Sequence, residues 1–193
     1  MNAFRKRTFT LPLLAESLAA AGLHLPVLLS SLIRSSLTPA LREQVMLAVT
    51  SVNDCRYCDW VHTGLALENG VDLTQLAGLL EQPLESLDDD SAVAILFGKH
   101  FADSQRRPSA AARDKLRQHF SPWQRRQIMA WIHAIYYANL TGNSADATLA
   151  RLNGRPVDGN PFTQALAGAL GAPVLALIWW NSRRSGRKAM AGL

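Results

Sequence analysis

Only two cysteines occur in the chain, Cys55 and Cys58, so a disulfide framework is excluded. Aromatic residues are scarce at 7%, and alternating β-branched and aromatic runs are absent, which removes the usual signal for strands. Charged residues make up 18% against 48% hydrophobic, a shortage of surface charge that assembly into a homo-oligomer would explain. No amino-terminal secretory signal is evident, because Arg5 to Thr10 leads into a leucine-rich stretch broken by Pro12 and Glu16. The expected compartment is a reducing, cytoplasmic one, where paired cysteines mean redox chemistry or a metal more often than structure.

The net charge of +5 comes largely from Arg5, Lys6 and Arg7 at one end and Arg183, Arg184, Arg187 and Lys188 at the other. A nucleic-acid reader lines up basic residues along one helix or loop with stacking aromatics between them. Here the mid-chain basic residues are scattered, so no nucleic-acid partner is expected, while an acidic substrate or a membrane surface stays open.

What the chain has in quantity is Ala and Leu at three- and four-residue intervals, which predicts an all-α fold. At 193 residues it fits one domain, 1–193, with a real core. Helical patterns are expected from about Pro12 to Ala21, stopping at Gly22, and again after Pro26. Thr38 and Pro39 read as an N-cap with proline at the first helical position, opening a helix that carries Glu43. Asn53 or Asp54 can cap the next, from about Cys55 to Asn69, closed at Gly70.

A short helix around Leu73 to Leu80 follows, then Pro83 and an acidic start at Asp88, Asp89 and Asp90 for a helix through Ile95 and Phe101. The run Arg106 to Ser109 breaks it before a polar helix around Ala111 to His119. Ser121 and Pro122 repeat the cap-and-proline signal ahead of a long helix expected to end near Gly142, so that Ser121 to Leu152 loosely echoes Thr38 to Gly70. In the extension from about 161 to 193, Phe162 to Trp180 is apolar and closes on Trp179, Trp180 and arginines. Its length approaches the roughly 20 residues of a spanning helix. Gly168, Gly171 and Pro173 weaken it as one helix, and a core or oligomer helix is the favoured reading over membrane contact.

The chemistry concentrates on one helix. Positions 55, 58 and 62 are spaced by three and four, which puts both thiols and the imidazole on one face. With Asn53 as the cap, Cys55 lies in the first turn, where free backbone donors and the macrodipole favour a thiolate. His62 can take or relay a proton from Cys58, and Glu43 can hold His62 in its basic tautomer. Two cysteines then allow a cycle without a cofactor: one thiolate attacks a peroxide and becomes a sulfenic acid, and the other condenses with it to a disulfide that a dithiol must reduce. Zinc is the rival for the same ligands, but a fourth ligand is missing locally, and His24, His100, His119 and His133 form no second pair. His133 and His100 read as core or interface residues, and Tyr57 and Trp60 as packing aromatics beside the cysteines.

Glu43, eleven residues, Cys55, two residues, Cys58, three residues and His62 resemble the signature of the alkylhydroperoxidase D-like branch of the carboxymuconolactone decarboxylase superfamily. The resemblance covers roughly Thr38 to Gly70. It implies an all-α helical bundle assembled as trimers or hexamers, with Cys58 as peroxidatic cysteine, Cys55 as its disulfide partner, and Glu43 with His62 as proton relay. It also implies a hydroperoxide substrate and a dithiol reductant, which in the best-known members is a lipoylated protein. Tyr57 departs from the pattern, standing where the peroxidase has a histidine. The cysteine pair argues against the lactone chemistry of the decarboxylase branch. The expected activity is therefore a thiol-dependent hydroperoxide reductase, with a thiol–disulfide oxidoreductase of little peroxidase activity, or a non-catalytic redox sensor or membrane-associated scaffold, as alternatives.

Overall fold

The computed structural model describes residues 4–82 and 89–184, and among these the regular structure is entirely helical. Eight helices follow in order: α1 Leu11–Ile33, α2 Pro39–Asn53, α3 Arg56–Glu68, α4 Leu73–Leu80, α5 Asp90–Asp103, α6 Ala110–His119, α7 Pro122–Leu152 and α8 Pro161–Arg184. Pro83, Asp88, Arg187 and Lys188, and the side chains of Trp179, Arg183 and Arg184, lie outside the described residues.

Local capping chemistry accounts for most of the helix starts. Thr10, Thr38, Asp72, Asp89, Ser109 and Ser121 each accept a hydrogen bond from a backbone N–H in the first turn, and Ser121 with Gln124 forms a reciprocal capping box. The expected boundaries at Thr38, Leu73, Ser109 and Ser121 hold.

Four expectations fail. Gly168, Gly171 and Pro173 do not interrupt α8, which is one helix from Pro161 to Arg184. Gly22 and Pro26 do not divide α1, which is continuous through both. Proline removes one N–H and crowds the carbonyl four residues earlier, here that of Gly22, but α1 is docked on α7 on both sides of the defect. Leu14 and Ser17 are buried before it and Ser31 after it, and Gln127 of α7 donates to the Arg34 carbonyl just past the helix end. Gly142 does not end the long helix, which runs to Leu152, so the suspected helical echo of Thr38 to Gly70 does not exist. Nor does Asn53 or Asp54 cap α3: Asn53 is the last residue of α2, and Asp54 closes that helix in the left-handed region at φ 54°. That sharp link, which a short polar residue tolerates, leaves Cys55 itself at the N-cap of α3.

α7 is the axis of the bundle, packing against α1, α2, α3 and α8, while α2 is wedged between α7 and α5. The core between them holds Val45, Val49, Ile95, Phe97, Phe101, Ile128, Ile132 and Leu140, all 2% exposed or less. α8 buries Thr163, Gln164, Ala167, Gly168 and Gly171, a three- and four-residue spacing that faces one stripe toward α7. The approach is close: a Cβ on Gly168 would lie 3.0 Å from the Ala145 Cα. Phe162, Leu166 and Leu170 point outward from α8, and Leu23, Leu29, Leu32 and Ile33 from α1. Among the described residues the helix long and apolar enough to cross a bilayer, by length and composition, is α1 rather than the Phe162 to Trp180 segment, and 11% of its apolar window is buried.

Candidate active site

The turn between α2 and α3 delivers the four residues singled out by spacing to one region, as two pairs. Cys55 at the N-cap and Cys58 in the first turn of α3 are both free thiols, with their sulfurs 3.0 Å apart. One turn further along α3, His62 Nδ1 lies 2.7 Å from Glu43 Oε2 on α2. No direct hydrogen bond joins His62 to either sulfur. With Nδ1 committed to Glu43, Nε2 is the nitrogen left for proton traffic.

Glu43 is almost wholly buried, its side chain 2% exposed against 17% for His62. A carboxylate taken from water needs partners at both oxygens. His62 occupies one, and Arg42 Nε donates to Oε1 at 3.2 Å. The Arg42 guanidinium lies over the Trp131 ring of α7, 4.9 Å from its centroid, so the ion pair is itself supported from the bundle axis.

The sulfurs titrate as a unit. Cys55 is held below the ordinary thiol range, chiefly because the Cys58 side chain can hydrogen-bond to it, with help from the backbone of Cys58 and Tyr57 at the helix start. Burial and the charge of Asp146 oppose this. Cys58 is pushed well above the range by that same bond to Cys55, then by burial, by the Cys55 charge and by Asp59. Of the two sulfurs, Cys55 is therefore the one on which negative charge is favoured.

Tyr57, between the cysteines, turns away from Glu43 and His62. Its hydroxyl donates to Asp146 Oδ1 of α7 at 2.6 Å, and the neighbouring Arg56 donates to the same oxygen at 2.6 Å. Arg56 also stacks over the Tyr57 ring, 5.0 Å from its centroid. Burial first, and the Asp146 bond second, push the Tyr57 phenol up to about 12, so it stays a donor throughout the neutral range. Cys55 is fully buried where α7 has no side chain to refuse it: a Cβ on Gly142 would stand 2.8 Å from its sulfur and 3.1 Å from the Tyr57 ring.

Arg42, Arg56, Gly142 and Asp146 are the residues that spacing did not find. For Asp146 a signal existed: Asn139, Thr141, Asn143, Ser144 and Asp146 form a buried polar run within an otherwise core-forming helix. His133 and His100 are structural, as expected, the first stacked on His24 and the second accepting from the Ser109 N–H. Among the described residues no group of three or more His, Cys, Asp or Glu is gathered to hold a metal ion.

Residues 26–96 match the model of the Carboxymuconolactone decarboxylase family. No curated protein and no solved structure matches the chain. The matched stretch runs from within α1 into α5 and contains Glu43, both cysteines and His62. Over that stretch, with an all-helical fold around it, the chain is similar to the carboxymuconolactone decarboxylase family.

Proposed function

We propose that the protein is a thiol-dependent hydroperoxide reductase of the alkylhydroperoxidase D-like type. The observation that carries this reading is the pairing of two reduced sulfurs 3.0 Å apart with a buried Glu43–His62 couple at 2.7 Å on the same two helices. Sulfurs at that separation need only a small side-chain rotation to reach bonding distance.

In the cycle, the Cys58 proton shifts across the 3.0 Å contact to the Cys55 thiolate, so that one sulfur is charged at a time, and Glu43 steadies the His62 imidazolium that serves as the acid. The Cys58 thiolate attacks one peroxide oxygen, the O–O bond breaks, and the departing alkoxide takes the proton from His62 to leave as the alcohol. Cys58 is then a sulfenic acid. Cys55 gives its proton to the now neutral His62 and attacks the Cys58 sulfur; the disulfide forms, and the departing hydroxide takes that proton and leaves as water. Two thiols and one hydroperoxide thus become a disulfide, an alcohol and water, and a dithiol, such as that of a lipoylated protein, restores the resting state.

The outward apolar faces of α1 and α8 support assembly as a trimer or hexamer, since contiguous leucine stripes rarely face water. The missing direct bond between His62 and sulfur favours a second reading, thiol–disulfide exchange with slow peroxide turnover.

Stopped-flow mixing of reduced protein with cumene hydroperoxide, with disulfide formation followed by mass spectrometry in wild type and Cys58→Ser, separates the two. Rapid disulfide formation that depends on Cys58 is expected. Oxidation no faster than that of a free thiol would leave exchange as the activity.

A further inference from the structure

A second concave site lies against the same turn. A cavity of about 410 Å³ is walled by Arg5, Lys6 and Arg7 of the amino-terminal segment, by Asn53 and Asp54 at the end of α2, and by Arg155 beyond α7. Asp54 immediately precedes Cys55, so one wall of the cavity is the backbone that carries the resolving sulfur.

Charge is lopsided there, with four cations facing one carboxylate. Lys6 accounts for that carboxylate, its Nζ lying 3.3 Å from Asp54 Oδ2 and donating to the Asp54 carbonyl at 2.8 Å. Arg7 is spent on the Ala102 carbonyl at 2.7 Å. Arg5 and Arg155 have no side-chain partner among the described residues. Arg5 and Arg155 are both exposed, so an anion entering the hollow meets two cations that carry no carboxylate.

The cavity is well founded. Asn143 of α7 donates to the Arg7 carbonyl at 3.1 Å and to the Asn53 carbonyl at 2.7 Å, tying the amino-terminal segment and the end of α2 to the bundle axis.

We infer that this cavity is an anion subsite, which holds the carboxylate or phosphate of a molecule that reacts with the Cys55–Cys58 pair. This rests on the cysteine pair being redox-active, as proposed above. The anionic molecule can be the dithiol that reduces the disulfide or the hydroperoxide that oxidises the thiols. In the first case one thiolate of the reductant attacks the disulfide and displaces a cysteine sulfur. Its second thiolate then closes a ring on the first, the two thiol protons pass to the cysteines, and the reductant leaves as a cyclic disulfide.

The test separates binding from chemistry. Titration calorimetry with pyrophosphate on the full chain is expected to show saturable binding that weakens about tenfold or more in Arg5→Ala/Arg155→Ala and recovers in Arg5→Lys/Arg155→Lys. Equal affinity in wild type and the alanine variant would overturn the subsite. For the source of the anion, the disulfide is formed with diamide, and its reduction by dihydrolipoate is compared with that by uncharged dihydrolipoamide. Oxidation of the reduced protein by a fatty-acid hydroperoxide is compared with that by its methyl ester.

A preference for the charged member of either pair, lost in the alanine variant, supports the subsite and names its source. No preference in both pairs, or a preference that survives the variant, overturns it. Because diamide makes the disulfide without a peroxide, a failed peroxidase reading would leave the reductant arm intact.

Discussion

The Tyr57 hydroxyl donates to Asp146 across 2.6 Å and ties the residue between the two cysteines to the bundle axis. Asp146 also takes Arg56, so a single carboxylate oxygen anchors both residues that separate Cys55 from Cys58. The turn is thus clamped on one side by α7, while the Glu43–His62 couple stands on α2 and the next turn of α3.

Removing the clamp has two separable effects. Tyr57→Phe deletes one buried hydrogen bond and is expected to cost about 1 kcal/mol in urea unfolding, with faster alkylation of Cys55 as the turn loosens. Asp146→Asn also removes a negative charge that disfavours the Cys55 thiolate. The midpoint of the pH–alkylation profile of Cys55 is therefore expected to fall in Asp146→Asn, because loss of a nearby anion stabilises the thiolate. A midpoint unmoved by this substitution would show that Asp146 acts only as a tether.

Gly142→Ala tests the seat of Cys55. The added methyl would stand 2.8 Å from the sulfur, closer than real carbon contacts, and a tight 3.1 Å from the Tyr57 ring, so the Cys55 side chain or the turn that carries it must shift. Helix propensity alone would make the change favourable by about 1 kcal/mol. The clash is expected to outweigh this and leave the protein less stable by about 1–3 kcal/mol in denaturant melts, with slower disulfide formation. Greater stability with unchanged oxidation would mean that the packing of Cys55 against α7 is looser than these distances require.

These outcomes bear on what was legible in the sequence. Thr38 with Pro39 and Ser121 with Pro122 announced helix starts because capping is settled within four residues. The register of Glu43, Cys55, Cys58 and His62 was legible for the same reason, two adjacent helices joined by one tight turn. Gly22, Pro26 and Gly142 misled because each was read as a local break, while contacts with distant elements decided the matter. α7 supports α1 across its proline, and Gly142 is small because Cys55 needs the space. Asp146 is 89 residues from Tyr57 in sequence, a pairing that no local pattern encodes.

The Glu43–His62 couple carries a prediction of its own. His62→Ala removes the proton carrier and Glu43→Gln its orienting partner, and each is expected to slow peroxide-dependent oxidation of Cys58 by roughly 10²-fold. Alkylation of the cysteines by a neutral reagent, which needs no proton delivered to a leaving group, should change far less. If peroxide and alkylating reagent slow together, the residues act on access or folding instead, and wild-type oxidation rates in both variants would remove the couple from the mechanism.

The stacked pair His24 and His133 makes stability depend on pH. Their rings lie 4.6 Å apart between α1 and α7, with Phe101 edge-on to His133. Burial, then His24 and Arg106, push the His133 imidazole down to about 4, and burial lowers His24 as well. Above about pH 6.5 both rings are neutral in folded and unfolded chains, and the pair has no pH-linked effect. Below that value the unfolded chain takes up protons that the folded chain refuses, so stability falls as the pH drops toward about 4 and levels off beneath it. Allowing for partial exposure, the loss is on the order of 1–2 kcal/mol. Urea midpoints from pH 7 to pH 4 in wild type and His133→Leu measure it. The variant is expected to lose less stability over that interval, and parallel curves would assign the acid sensitivity to other groups.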